Sequence, residues 1–230
     1  MREIIFDTET TGLDSREDRI IEIGGIELDN HFPTGRTLHL YINPGDRKVH
    51  PEALAVHGIT DEFLTDKPGF ADVAEQILSF FEGAKWIAHN ATFDMGFVNA
   101  ELGRLGLPPI PPSEVIDTLS LARRKHPMGP NSLDALCRRY GIDNSHRTKH
   151  GALLDSELLA EVYIEMIGGR QAALGLAGPG QNTAEENEAA GAIIVGRPKP
   201  LADRLTETER LAHDAMVAKI GSKALWARYQ

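Results

Sequence analysis

The sequence predicts an α/β protein: a mixed five-stranded sheet flanked by helices, followed by a flexible linker and a short C-terminal segment. Three observations predict it. Three apolar, strand-like runs with short polar connections open the chain. Helical and strand patterns then alternate up to Ile167, the mark of layers packed around a sheet. Past Gly168 the periodicity stops and Gly, Ala, Glu and Asn take over.

The first run, Ile4-Ile5-Phe6, is a short buried strand ending in Asp7-Thr8-Glu9, and Thr10-Thr11-Gly12 supplies the turn that stops it. Arg19 to Asp29 alternates Ile21, Ile23 and Gly25 with Glu22 and Gly24, which predicts a half-buried second strand. Gly35 to Ile42 is the third, with Leu38 and Leu40 on one side, and the short connections predict an antiparallel meander. Pro51 to Val56 is a short helix with proline at its start, leading into a loop at His57-Gly58-Ile59-Thr60-Asp61.

Phe70 to Phe81 has helical spacing at Val73, Ile77 and Phe81, and Gly83 ends it. Lys85 to His89 is a compact strand. Asn90 or Thr92 is expected to cap the next helix, with Phe93, Phe97 and Leu105 as its core residues and Gly106 as its end. Glu114 to Asp117 reads as the fifth strand, Thr118 to Arg124 and Ser132 to Arg139 as helices. Ala152 to Ile167 is a long helix with Leu154, Leu158, Val162 and Met166 as its stripe. No internal repeat is present. Order resumes at Thr206-x-x-Glu209, a capping-box pattern, before a helix with Leu211, Ala215 and Ala218 on one face and Gly221 at its end. Leu225, Trp226 and Tyr229 then lie in a tail too short to bury them itself, which predicts docking on a partner; packing back on its own domain is the other reading, which the long linker disfavours.

At 230 residues the chain is long enough for one sizeable core. A single cysteine, Cys137, excludes an intrachain disulfide and sits in an apolar run, so a buried structural thiol in a reducing cytoplasm is expected. No apolar stretch approaches membrane-spanning length. The formal net charge of −10 argues against a protein that grips nucleic acid through its own cationic surface. Any work on a phosphodiester therefore calls for bound metal ions or for a partner that holds the substrate.

Asp7 and Glu9 lie at i and i+2 of a strand and so project from the same face. A lone pair of this kind is usually a solvated strand end. Side by side in a site, the two carboxylates suit a hard divalent ion such as Mg²⁺. Asp94 falls in the first turn of its helix, where the helix dipole alone would favour an acid. Asp155 interrupts the apolar start of the last long helix, a costly position for an unpaired charge. His150, five residues earlier in a polar lead-in, is either a plain surface residue or a base for a metal-bound water, since imidazole titrates near neutrality. Four carboxylates and one histidine from separate segments make a candidate two-metal site.

Asp7-Thr8-Glu9-Thr10-Thr11-Gly12-Leu13, His89-Asn90-Ala91-Thr92-Phe93-Asp94 and His150-Gly151-Ala152-Leu153-Leu154-Asp155 resemble, in order, the three motifs of the DEDDh (DnaQ-like) exonuclease family. His57-Gly58-Ile59-Thr60-Asp61 is similar to a further segment of that family, and the likeness runs from about Met1 to Ile167. The resemblance implies a ribonuclease-H-like fold and metal-dependent 3′→5′ removal of terminal nucleotides with two Mg²⁺ or Mn²⁺ ions. It implies that Asp7 bridges both ions, that Glu9 and Asp155 hold the ion carrying the nucleophilic water, that Asp94 holds the second, and that His150 is the general base. For the terminal nucleotide it implies contacts from Asp7, Glu9, Asp155 and the segment of His57, with Glu52, Thr10 and Asn90 shaping the pocket.

Gln171-Ala172-Ala173-Leu174-Gly175-Leu176 is similar to the Q-x-x-L-x-(F/L) peptide that bacterial proteins insert into the sliding clamp. A frayed helix end is the other reading of Gln171, Leu174 and Leu176. The order of this peptide, a linker and the segment Leu225-Trp226-Ala227-Arg228 resembles proofreading subunits of bacterial replicative polymerases. It implies an exonuclease domain over 1–170, a clamp-motif and linker region over 171–200, and a segment over 201–230 docking on the polymerase catalytic (alpha) subunit. Trp226 is the expected anchor. A small accessory subunit is left open. The competing readings are a free-standing RNA-processing exoribonuclease of the same superfamily and a mainly structural replicase subunit.

Overall fold

A mixed sheet with strand order β3-β2-β1-β4-β5 organises the computed structural model, which describes residues 1–145, 147, 149–168 and 206–220. The opening strands β1 (Arg2–Thr10), β2 (Ile20–Asp29) and β3 (Phe32–Tyr41) form the expected antiparallel meander. On the other edge of β1, β4 (Lys85–Ala88) and β5 (Val115–Asp117) add in parallel, which requires connections long enough to cross back. Those crossings carry the first helices, and the others follow β5.

The helices are α1 (Pro51–His57), α2 (Asp61–Leu64), α3 (Phe70–Phe81), α4 (Ala91–Arg104), α5 (Thr118–Lys125), α6 (Leu133–Tyr140) and α7 (Ala152–Ile167). Strand alternation divides them between two faces. Ile4 and Phe6 turn to α3 and α4, where they pack with Val73, Ile77, Phe81, Phe97 and Val98. Trp86 stacks on Phe81 with ring centroids 3.7 Å apart, and Phe6 meets both rings edge-on. Ile5, Ile26, Leu28 and Ile87 turn to α7 and pack with Leu159 and Tyr163. Behind them, Leu136 and Cys137 of α6 meet Leu158, Val162 and Met166 of α7. The expected buried Cys137 is found there, and the α7 stripe is one of two: Leu159, Ala160 and Tyr163 form a second against the sheet.

Three expectations are corrected. Strand β2 is buried on both faces from Ile20 to Leu28, because helices cover the sheet front and back. Its acids are therefore desolvated and partnered: Glu27 takes Arg2, Arg36 and Thr34, and Glu22 takes His39 at 2.7 Å. Neither Asn90 nor Thr92 caps α4 with its side chain. Asn90 sits in the left-handed region (φ 65°), and Asp117 reaches across from the end of β5 to accept from the backbone N–H groups of Asn90 and Ala91. Leu105 is not core: it lies at the C-cap of α4, past the last helical turn, and is 38% exposed.

The chain divides into two units, Met1–Leu176 and Ala177–Gln230. Within the second, α8 (Glu207–Ile220) begins with the expected capping box. The Glu209 N–H donates to Thr206 Oγ1, and Glu209 Oε2 accepts from the Thr206 backbone N–H at 2.8 Å. The linker composition, Gln171, Leu174, Leu176, Gly221 and the segment with Trp226 lie outside the described residues.

Candidate active site

The site forms where β1 outruns its parallel neighbour. Strand β4 pairs only with Glu3 to Ile5, so the rest of β1 continues past it toward the first turn of α4. There Asp94 is buried and its Oδ1 accepts from the Thr8 N–H at 3.1 Å and the Thr8 hydroxyl at 2.7 Å. Asp117 sets where α4 begins and also caps α5, accepting from the Leu119 N–H at 3.0 Å. One carboxylate at the end of β5 thus indexes two helices.

Asp7 and Glu9 point the other way, to the α7 face. Opposite Asp7 in the β1–β2 register stands Gly24. A Cβ there would lie 2.3 Å from the Ala152 carbonyl carbon and the Leu153 nitrogen, so only glycine lets the α7 N-terminus press onto β2 at this point. The Ser156 hydroxyl reaches the Gly24 carbonyl at 3.1 Å. This contact brings Asp155, in the first turn of α7, to the Asp7 and Glu9 side of the sheet. His150 is 47% exposed on the lead-in, which is tied to α1 by its N–H donating to the Val56 carbonyl at 3.3 Å.

Three of the five expected site residues form one group, and the charges of Asp7 and Asp94 act on its neighbourhood. Glu9, His150 and Asp155 each place a ligand atom within 4.8 Å of the others. Burial, then the charges of Asp94, Glu9 and Asp155, hold the Asp7 carboxyl well above the usual carboxylate range. Burial and then Glu22, Asp155 and Asp94 push Glu9 up to about 8. Burial pushes Asp94 up to about 7 against the pull of its Thr8 bonds. Asp155 goes down: burial raises it, and the His150 and Arg147 side chains beside it outweigh that. A cluster of hard oxygen donors with one imidazole fits divalent cations.

A melting experiment follows from these shifts. A carboxyl whose folded pKa is raised holds its proton more tightly in the native state, so its stabilising contribution is complete below the unfolded value near 4. That contribution is lost as pH rises through about 7 for Asp94 and about 8 for Glu9. With divalent ions chelated, the melting temperature should fall across this window. Adding a divalent cation, which binds the ionised forms, should flatten the slope. A melting temperature independent of pH in chelator would count against uncompensated carboxylates.

Beside the carboxylates is a cleft of about 290 Å³ lined by Glu9, Thr10, Glu52, His57 and Phe93, with the exposed Leu13 at its mouth. Thr10, Glu52 and His57 thus share one cleft with Glu9. His57 is buried; its Nδ1 accepts from the Ile59 N–H, and its Nε2 faces the Thr10 backbone without a well-formed hydrogen bond. Asn90 does not line this cleft. Its backbone is engaged by Asp117 and its side chain is exposed.

Sequence reasoning missed four contributors. Phe93, expected only as helix core, is half-buried and lines the cleft. Thr8, between the two acids, had its signal in the D-T-E spacing itself, which sends the middle side chain to the opposite face. Gly24 showed only as a glycine in a strand, a known mark of close backbone approach. Arg147 sits eight residues before Asp155, and nothing in its polar neighbourhood announces a buried partner.

An exonuclease family model (RNase_T) matches residues 4–163. The DNA polymerase III subunit epsilon of Salmonella typhimurium is 46% identical over 238 residues, covering 98% of this chain and 97% of that protein. Among solved structures, Exonuclease X in complex with 5′ overhanging duplex DNA superposes with a TM-score of 0.57 at 30% identity, covering 73% of this chain and 91% of that one. The nuclease domain of 3′hExo, a DEDDh family member bound to rAMP, shares the fold at TM-score 0.62 and 18% identity, covering 73% and 92%. The expected ribonuclease-H-like architecture is therefore the observed one. With a family model matching residues 4–163, where all three motifs lie in order, and a relative 46% identical over nearly the whole chain, the chain belongs to the DEDDh (DnaQ-like) exonuclease family.

Proposed function

We propose that this 3′→5′ exonuclease removes mispaired 3′-terminal nucleotides from DNA as the proofreading subunit of a bacterial replicase in the cytoplasm, releasing nucleoside 5′-monophosphates. The observation that carries the chemistry is the meeting of Glu9, His150 and Asp155, whose ligand atoms lie within 4.8 Å of one another, beside the Asp7 carboxyl that burial and then neighbouring acids hold well above its usual range. The relatives' names and whole-length similarity carry the replicase assignment.

Two Mg²⁺ or Mn²⁺ ions bound here supply Lewis-acid activation of a water and stabilise charge on the leaving 3′-oxygen. Asp7, which feels the charges of Asp94, Glu9 and Asp155, would help to hold both ions. Glu9 and Asp155 would hold the one nearest His150, and Asp94, fixed by Thr8, the other. His150, in reach of the Glu9 and Asp155 ligand atoms, takes the proton from the attacking water. The cleft of Thr10, Glu52 and His57 would seat the terminal nucleotide beside these groups.

The exonuclease domain is assigned to 1–170, the clamp peptide (Gln171, Leu174, Leu176) and linker to 171–200, and the segment docking on the alpha subunit through Trp226 to 201–230. A tether accounts for the acidic balance, because high effective concentration replaces intrinsic DNA affinity. A small accessory subunit would bind the first of these.

Digestion of 5′-labelled single-stranded DNA and RNA by the full chain tests the chemistry. The expected result is a one-nucleotide ladder on DNA with Mg²⁺ or Mn²⁺, lost with EDTA and in Asp155→Ala. Rapid RNA trimming with slow DNA trimming would move the protein to RNA processing. No cleavage of either would favour a structural subunit. Deleting Ala177–Gln230 should abolish polymerase binding while the ladder persists.

A further inference from the structure

The Arg147 guanidinium lies inside the candidate site, its side chain only 8% exposed. Its Nε donates to Asp155 Oδ1 at 2.5 Å and its Nη2 to Asp155 Oδ2 at 2.6 Å, a two-pronged grip on both oxygens of one carboxylate. Nη2 also stands 2.8 Å from His150 Nδ1, and Nη1 donates to Asp134 Oδ1 at 2.9 Å. Asp134 lies in the first turn of α6 with its side chain 45% exposed, so Arg147 has an anchor outside the carboxylate cluster.

We propose that Arg147 competes with divalent cations for Asp155, holding the site in a locked state that metal loading must open. The inference rests on the reading of Asp155 as a metal ligand. Two physical effects set the competition. The fork occupies the oxygens that would face a cation, and a guanidinium and a divalent ion sharing one carboxylate would repel across a few ångströms in a poorly screened site. The imidazole is locked as well. His150 Nδ1 can accept from Arg147 only when it carries no proton, so it then cannot donate to Asp155, 3.0 Å away. While Arg147 donates there, the only lone pair of a neutral His150 is engaged and unable to take a proton from water. Withdrawal of Arg147 toward Asp134 would free both Asp155 oxygens and that lone pair in one movement, coupling metal occupancy to the readiness of the base.

A purely orienting role for Arg147, as an outer partner steadying Asp155, predicts the opposite sign: removing such partners typically weakens metal binding about 10–100-fold. Calorimetric titration of the EDTA-stripped, dialysed full chain with Mn²⁺ separates the two. Arg147→Gln should bind Mn²⁺ tighter by about tenfold or more, the scale of one charge-assisted hydrogen bond. Arg147→Lys, which keeps the charge without the fork, should fall between. Without metal, Arg147→Gln should melt lower than the parent, and saturating Mn²⁺ should narrow the gap. Equal or weaker Mn²⁺ binding by Arg147→Gln, with normal binding by the parent, would overturn the competition alone. No Mn²⁺ binding by the parent would remove the metal reading and the proposal together.

Discussion

Replacing His150 by alanine is expected to lower the turnover of single-stranded DNA by about 10²–10⁴-fold at neutral pH, the usual contribution of a positioned general base. The imidazole is exposed and its close partners, Arg147 and Asp155, hold each other without it, so the melting temperature should move little. KM should change less than turnover, because the cleft that would seat the nucleotide is lined by Thr10, Glu52 and His57 and not by His150. The pH profile adds a second readout. Without the base, water must lose its proton to bulk hydroxide, so the variant should keep gaining activity toward alkaline pH. A loss of Mn²⁺ affinity as large as the loss of turnover would make His150 chiefly a metal ligand, a role its position with Glu9 and Asp155 also permits.

Much of the fold was legible because its elements are periodic over their whole length. Helix α3 runs from Phe70 to Phe81 as its spacing predicts, and α7 from Ala152 to Ile167. Strand β2 was legible as a strand but not in its burial. Its acids look like a solvent face, and only the helices on both sides of the sheet, an arrangement no local window records, turn Glu22 and Glu27 inward. The start of α4 failed for a related reason: local rules offer Asn90 or Thr92, whereas the cap comes from Asp117, 27 residues away from Asn90.

The site divides along the same line. Acids at odd places, such as Asp155 among Leu153 and Leu154, can be read from cost alone. That cost says a partner must exist and not which. The structure supplies a partner the motifs do not contain, Arg147, together with the Thr8 bonds that fix Asp94. Groups that carry charge stand out in a sequence, while those that hold the charges in place look ordinary.

Gly24 is the sharpest instance, and Gly24→Ala should damage the enzyme out of proportion to one added methyl. The new Cβ would meet backbone, not a side-chain tip: the Ala152 carbonyl carbon and Leu153 nitrogen at 2.3 Å and the Ala152 oxygen at 2.5 Å. No rotamer relieves that overlap, so α7 must back away from β2 by about 1 Å to regain ordinary contact. Overpacking of this kind costs about 1–3 kcal/mol, and in a chain of this size each kcal/mol lowers the melting temperature by about 2–4 °C. The functional cost is larger. Gly24 is registered opposite Asp7, and Asp155 rides on the turn that would move. Displacing a reacting group by about 1 Å can cost about 10²-fold in rate. Gly25→Ala is the control. Its Cβ would face the other side of the sheet and meet only side-chain atoms, Phe80 Cε1 at 3.3 Å and Ile4 Cγ2 at 3.4 Å. Those can yield by a few tenths of an ångström, so activity should stay within a few-fold of the parent. Equal damage from the two substitutions would show general sheet disruption, and the close approach of α7 would then not be what places Asp155.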